Sequence, residues 1–172
     1  MSFKLSPEYA LLGVLMTGPK HGYEMHSYFS SKMGQFWRLS MSQVYSLLKR
    51  MEKNGVVILK GEWQDNRPAK KTFFITQAGK ESLLNWIHSP VKHVRDLRIE
   101  FMAKLFLIKE LKLEGATDII DKQVEVLQEN LRLIKVSKEN IIDEFQKALH
   151  SFKMAQANSA IDWLKECKTF FS

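Results

Sequence analysis

The stretch Ser40-Met41-Ser42-Gln43-Val44-Tyr45-Ser46-Leu47-Leu48-Lys49-Arg50-Met51-Glu52-Lys53-Asn54-Gly55 decides the fold. Ser40 and Gln43 have the spacing of a capping box, in which a hydroxyl and an amide three residues apart satisfy two orphan amides at a helix start. Val44, Leu47, Leu48 and Met51 follow at i, i+3, i+4 and i+7 and share one buried stripe. Gly55 stands where a left-handed C-terminal cap is expected. At about 100° per residue, Ser42, Ser46, Lys49 and Lys53 then point away from the core, with Gln43 and Arg50 on one flank and Tyr45 on the other. Hydroxyls, an amide and cations on one face of a short helix are the groups that meet phosphates and base edges.

Upstream, Ser6-Pro7-Glu8 reads as a hydroxyl cap, a proline at the first helical position and an acid in the first turn. Leu11, Leu12 and Leu15 give that helix its apolar side, and Thr17-Gly18-Pro19 stops it. His21-Gly22-Tyr23-Glu24 opens a second helix, with Met25, Phe29 and Met33 as its buried stripe and Gly34 at its end. Downstream, the period changes to alternation. Val57, Leu59 and Trp63 lie on one side of an extended run, with Lys60 and Glu62 on the other. Gln64-Asp65-Asn66-Arg67-Pro68 is turn chemistry, and a second strand follows with Phe73 and Ile75 set against Lys71 and Thr72. Thr76 caps a further helix through Leu83, Leu84 and Ile87 that ends near Ser89-Pro90. Three short helices and a hairpin predict a winged helix-turn-helix over residues 1–90, whose third helix enters a major groove. Arg67, Lys70 and Lys71 at the hairpin reach flanking phosphates or the minor groove.

The distribution of charge supports a polyanionic partner. The net charge is +7. Residues 1–90 hold 12 Lys/Arg against 6 Asp/Glu, and residues 91–172 hold 14 against 13, so nearly all the excess lies in the N-terminal half. No apolar run approaches the ~20 residues of a membrane span, and the N-terminus lacks the pattern of a secretory leader. The single cysteine, Cys167, cannot form an intramolecular disulfide; it fits a reducing, cytoplasmic compartment and a packing role.

Residues 91–172 read as a helical dimerisation domain. Asp96 opens a helix rich in Leu97, Ile99, Phe101, Met102, Leu105, Phe106 and Ile108, apolar on more than one side, as at a domain junction or interface. Gly115 breaks the chain and Thr117 restarts it. Ile120, Leu127, Ile134, Ile141 and Ala148 then recur every seven residues. Val124, Leu131, Phe145 and Phe152 fill a second series interrupted by Lys138. One helix of that length would be exceptional, so a break is expected near Ser137–Asn140, with Ser137 capping the next helix. Ala160, Trp163, Leu164, Cys167 and Phe171 form the last stripe. So many apolar groups on a short hairpin call for a second copy of the chain, with Ile120, Val124, Leu127, Leu131, Ile161 and Leu164 at the dimer contact.

Three blocks carry a family resemblance: Leu5-Ser6-Pro7-Glu8-Tyr9-Ala10-Leu11-Leu12-Gly13, Gly18-Pro19-Lys20-His21-Gly22-Tyr23-Glu24, and Ser42 through Gly55. In this order and over roughly residues 5–88 the chain resembles PadR-family transcriptional regulators. The helical half resembles the longer subfamily with a virulence-activator-like tail ending in a Trp-Leu pair, here Trp163-Leu164. Met51 stands where a leucine is usual, a swap that conserves volume. The resemblance implies a dimeric repressor of winged-helix type, often autoregulatory and often relieved by a small aromatic or hydrophobic effector. It encourages a pocket between the last helix and the winged domain, with Trp163, Phe101 and Met102 as walls. Trp37, Trp63 and Trp86 are read as core, and for Trp163 too core is the plainer reading.

Other chemistry is not supported. His21, His26, His88, His93 and His150 are scattered, without cysteines or clustered carboxylates, so no metal site is expected. No phosphate-binding glycine loop or nucleophile elbow occurs, and Glu110/Glu114 and Asp121/Glu125 read as solvated helix faces; neither an enzyme nor a cofactor is expected. The expectation is a mainly α protein with a small β-hairpin wing, binding a palindromic operator as a homodimeric repressor. Gln43, Tyr45, Ser46, Lys49 and Arg50 would face the groove, Gln pairing adenine and Arg pairing guanine. Ser42, Lys53, Arg67, Lys70, Lys71 and Tyr23 would hold phosphates. The alternative from another class is a protein-interaction scaffold worked by the helical half.

Overall fold

A computed structural model of the chain describes residues 7–64, 67–136 and 143–171, the side chains of 62–70 excepted. The expected cap at Ser6, the turn at Asp65-Asn66 and the break at Ser137–Asn140 lie outside those residues, as do the side chains of Trp63, Arg67 and Lys70. The elements in order are α1 (Pro7–Met16), β1 (Lys20–His21), α2 (Gly22–Met33), α3 (Met41–Lys53), β2 (Val57–Gln64), β3 (Arg67–Ile75), α4 (Gln77–Ile87), α5 (Val94–Asp96), a π turn (Leu97–Phe101), α6 (Met102–Glu110), α7 (Ala116–Val136) and α8 (Glu144–Lys168). The architecture is mainly helical with a three-stranded antiparallel wing. No helix among the described residues is long and apolar enough to cross a membrane.

Two compact units result: Met1–His88 with Ala103–Leu113, and Ser89–Met102 with Glu114–Ser172. A single cut between residues 90 and 91 therefore misses that residues 103–113 pack with the winged unit. The reason is visible at Gly13, where an added Cβ would collide with the Leu107 side chain, so α6 packs against α1. Lys104 is 1% exposed with its Nζ 4.8 Å from the Trp86 ring centre, and Trp86 in turn stacks on Tyr9 at 5.1 Å. With α6 above it, α1 is buried over Ala10–Leu15 rather than along one stripe.

In the winged unit, α2 buries Met25, Phe29 and Met33, and α3 buries Val44, Leu47, Leu48 and Met51, as their spacing predicts. Gly55 has φ +70 and ends α3. Thr76 caps α4 by accepting from Gly79 N at 3.0 Å. The wing pairs Val57 with Ile75, Leu59 with Phe73 and Gly61 with Lys71, with an irregularity between Glu62 and Gln64. A strand not expected from the sequence, β1, pairs Lys20 with Phe73 and His21 with Thr72. Two residues are too short to display an alternating pattern.

In the second unit, the helix starts at Val94, two residues before Asp96, with His93 as its cap residue. Two helices follow, α7 and α8: Asp143, accepting from Phe145 N at 3.1 Å and Gln146 N at 3.4 Å, starts the second. The pair is antiparallel, since Lys168 Nζ meets Asp121 at 2.7 Å and His150 Nε2 lies 2.9 Å from Ile134 O. Cys167 is buried, and burial raises its thiol pKa.

Candidate nucleic-acid interface

The cap expected at the start of α3 is present: Ser40 Oγ accepts from Gln43 N at 3.2 Å, and Gln43 Oε1 accepts from Ser40 N at 2.8 Å. This reciprocal pair of hydrogen bonds replaces two of the contacts that the first turn cannot make within the helix. Outside the buried stripe, Met41, Ser42, Gln43, Tyr45, Ser46, Lys49, Arg50 and Lys53 are all exposed. The helix thus offers hydroxyls and cations outward while its apolar side holds it to the core.

Two of these side chains are already engaged by the protein. Gln43 spends its carbonyl oxygen on the cap, and Arg50 Nη2 forms an ion pair with Glu8 Oε1 of α1. Tyr45 is held in another way. An added Cβ at Gly22 would lie 2.6 Å from Tyr45 Cε1 and 2.9 Å from its hydroxyl oxygen, so the ring rests on the first turn of α2. Only glycine leaves that room, which gives the Gly22 of the His-Gly-Tyr block a structural purpose. Tyr45 remains 48% exposed, and so it is fixed yet still open to a partner.

The start of α2 is tied to the wing. His21 Nδ1 lies 3.1 Å from Lys71 O and 3.3 Å from Thr72 Oγ1, while His21 N donates to Glu24 Oε2 at 2.7 Å. That backbone donor is the main reason the Glu24 carboxyl is held below its usual pKa. Tyr23 stacks on His21 at 5.7 Å and donates to Glu24 Oε1 at 3.3 Å; the adjacent carboxylate raises the pKa of its phenol. Lys71 is exposed on β3, beside the root of α2. The start of α2 is thus hydrogen-bonded to the wing and packed against Tyr45 of α3, and Lys49, Lys53, Lys71 and Tyr23 are exposed on these elements.

Comparison with known proteins bears on this surface. Residues 11–85, which span α1 through most of α4, match the family described as Transcriptional regulator PadR-like family. The chain is 32% identical over 137 residues to the Negative transcriptional regulator PadR of Bacillus subtilis (strain 168), covering 78% of this chain and 74% of that protein. The chain belongs to the PadR-like family of transcriptional regulators. Among solved structures, Bacillus subtilis PadR in complex with operator DNA is 26% identical with a TM-score of 0.46, over 96% of this chain and 98% of that one. Bacillus subtilis PadR in complex with p-coumaric acid is 25% identical with a TM-score of 0.43, over 96% and 94%. The PadR-like family is one of regulators rather than of enzymes.

The residues assigned to other sites are distributed as follows. Phe101 is fully buried, and Met102 and Trp163 are half-buried. Two cavities of the winged unit, of about 560 Å³ beside Lys20, Tyr23 and Tyr28 and about 160 Å³ beside Glu8 and Met51, include none of the three in their walls. Ile120, Leu127, Ile161 and Leu164 are buried within the α7–α8 hairpin of a single chain, and Val124 and Leu131 partly so. The second seven-residue series is not buried along its length: Phe145 and Phe152, its members on α8, are 72% and 59% exposed. Among the described residues no cluster suited to a metal ion occurs.

Three features of the interface escaped sequence reasoning. The Glu8–Arg50 pair joins residues forty-two positions apart and leaves no local signal. The Tyr45–Gly22 contact had one in principle, because a glycine at the first position of a helix is poor propensity and asks for a reason. Met41 is 38% exposed beside Tyr45, where its spacing of four from that residue could have placed it.

Proposed function

We propose that this regulator is a homodimeric, sequence-specific DNA-binding repressor whose hold on promoter DNA is relieved by a small aromatic effector. The observation that carries the reading is the capped α3, with a hydroxyl-rich and cationic face, packed through Tyr45 on the start of α2, which is itself hydrogen-bonded to a basic wing. Ser42, Ser46, Lys49 and Lys53 face the duplex from α3, with Lys71, Arg67 and Lys70 of the wing and Tyr23 on the flanking backbone. Occupying a promoter is then enough to repress, since bound protein excludes the polymerase.

Pairing of two chains is supported by the exposed apolar groups of the hairpin, Leu133 and Val136 on α7 and Phe145, Leu149 and Phe152 on α8. A two-fold dimer presents two reading heads about 34–36 Å apart, which asks for a palindromic site. Repression is supported by the relative at 32% identity, which is named a negative regulator. The p-coumaric acid complex of that relative makes aromatic acids the first compounds to try.

The deciding experiment is binding of the purified chain to the region upstream of its own gene, followed by fluorescence anisotropy at two salt concentrations. Specific binding with log K falling by about 0.9 per neutralised phosphate against log salt is expected. Weak binding that ignores salt would favour a protein-interaction scaffold instead.

A further inference from the structure

The exposed face of α3 contains a feature that phosphate contact does not use. Met41 and Tyr45 are four residues apart, hence neighbours on the helix surface, and are 38% and 48% exposed. They lie in the N-terminal half of the helix, the part of a recognition helix that meets base edges. The two side chains best suited to reading bases by hydrogen bonds are drawn elsewhere, Gln43 into the cap and Arg50 to Glu8. The outward surface near the helix start is therefore the hydroxyls of Ser42 and Ser46, with the apolar pair Met41 and Tyr45 along one flank.

The major groove offers one apolar group, the C5-methyl of thymine. We propose that Met41 and Tyr45 read thymine methyls, so that this regulator selects its operator by apolar contact at thymine positions. Tyr45 suits the task because its ring is braced on Gly22, whose missing Cβ provides the space, so little side-chain freedom is lost on docking. The flexible thioether of Met41 adapts readily to a neighbouring apolar group. This inference rests on the DNA-binding reading, and the test keeps the two apart.

A tight-binding duplex is selected with the full chain from a random pool, and each thymine is replaced singly by deoxyuridine, which removes the methyl and keeps the pairing. The expected result is that one or two positions per half-site weaken the unaltered protein about three- to tenfold. Met41→Ala and Tyr45→Ala abolish that penalty at their own positions, while Tyr45→Phe keeps it, because the ring and not the hydroxyl makes the contact. Thermal melting checks that the variants fold; if Tyr45→Ala does not, Met41→Ala and Tyr45→Phe decide. A selected duplex that binds well but responds to no deoxyuridine by more than about twofold overturns the inference and leaves DNA binding standing. So does a penalty that the folded variants share with the unaltered protein. Failure to select any duplex overturns both.

Discussion

Arg50 of the recognition helix is ion-paired with Glu8 of α1, across two elements of the winged unit. The two side chains are 44% and 21% exposed, so the pair stabilises the fold by no more than about 1 kcal/mol. Its larger effect is on the surface, where a carboxylate sits beside a cation of the face proposed to meet DNA. Glu8→Gln removes a charge that repels phosphate and releases the guanidinium. Affinity for random duplex is expected to rise about three- to tenfold at low salt, and the log–log salt slope to steepen by about 0.9. Anisotropy titrations across salt measure both, and an unchanged slope would show that Arg50 never reaches a phosphate.

The cap on α3 makes Gln43 a stability residue before it is a reading residue. Ser40→Ala should lower unfolding free energy by about 1 kcal/mol. Gln43→Glu keeps an acceptor for Ser40 N and places a negative charge at the helix start, so the fold should melt at the same temperature or slightly higher. The same charge opposes phosphate, so duplex affinity should fall. Melting curves and anisotropy on one preparation separate the effects; a large loss of stability in Gln43→Glu would mean that a carboxylate does not take over the amide's place in the cap.

How far the sequence could be read follows from the range of the interactions. The α3 cap, the buried stripes of α2 and α3, the Gly55 turn and the Thr76 cap all depend on neighbours within about one or two turns, and all were legible. The seven-residue series on residues 120–152 were also real as a pattern, but pattern alone does not say which copy of the chain supplies the partner. Ile120 and Leu164 bury themselves within one hairpin. The docking of α6 on α1, the β1 strand and the Glu8 hold on Arg50 depend on side chains far apart in the chain. Of the interface, the face of α3 was readable; what each side chain on it is free to do was not.

Tyr28 on α2 and Glu110 on α6 provide a pH-dependent tie within the winged unit. The Tyr28 hydroxyl donates to Glu110 Oε1 at 2.6 Å, and Lys32 lies 3.4 Å from the same oxygen. The tyrosine hydroxyl, with Lys32 adding, holds the Glu110 carboxyl below its usual pKa, while burial and then Glu110 push the Tyr28 phenol up to about 12. The depressed carboxyl gives stability that is present above the ordinary carboxylate range and lost as pH falls through its folded value. The raised phenol gives stability present below about pH 10 and lost as pH climbs towards about 12. Tyr28→Phe should therefore cost about 1 kcal/mol at neutral pH, with the difference from the unaltered protein shrinking below about pH 4. Urea unfolding at neutral and acid pH measures this, and a pH-independent difference would assign the cost to packing.

Gln123, fully buried in α7, acts as a substitute for a strand partner. Its Oε1 accepts from Val91 N at 2.7 Å and its Nε2 donates to Val91 O at 2.9 Å, which satisfies both polar groups of a backbone segment outside any helix. Gln123→Leu keeps the volume and strands both groups without water, at a cost of about 2–4 kcal/mol. Gln123→Glu distinguishes the two bonds. An ionised carboxylate still accepts from Val91 N but faces Val91 O as one acceptor against another, whereas the protonated acid can donate there. Burial favours that neutral acid, so the variant should be markedly weakened at neutral pH and partly recover its stability as pH is lowered. Unfolding of the second unit, followed by Trp163 fluorescence at two pH values, reads the outcome. If Gln123→Leu unfolds within about 0.5 kcal/mol of the unaltered protein, the paired bonds contribute nothing net and the buried amide needs another explanation.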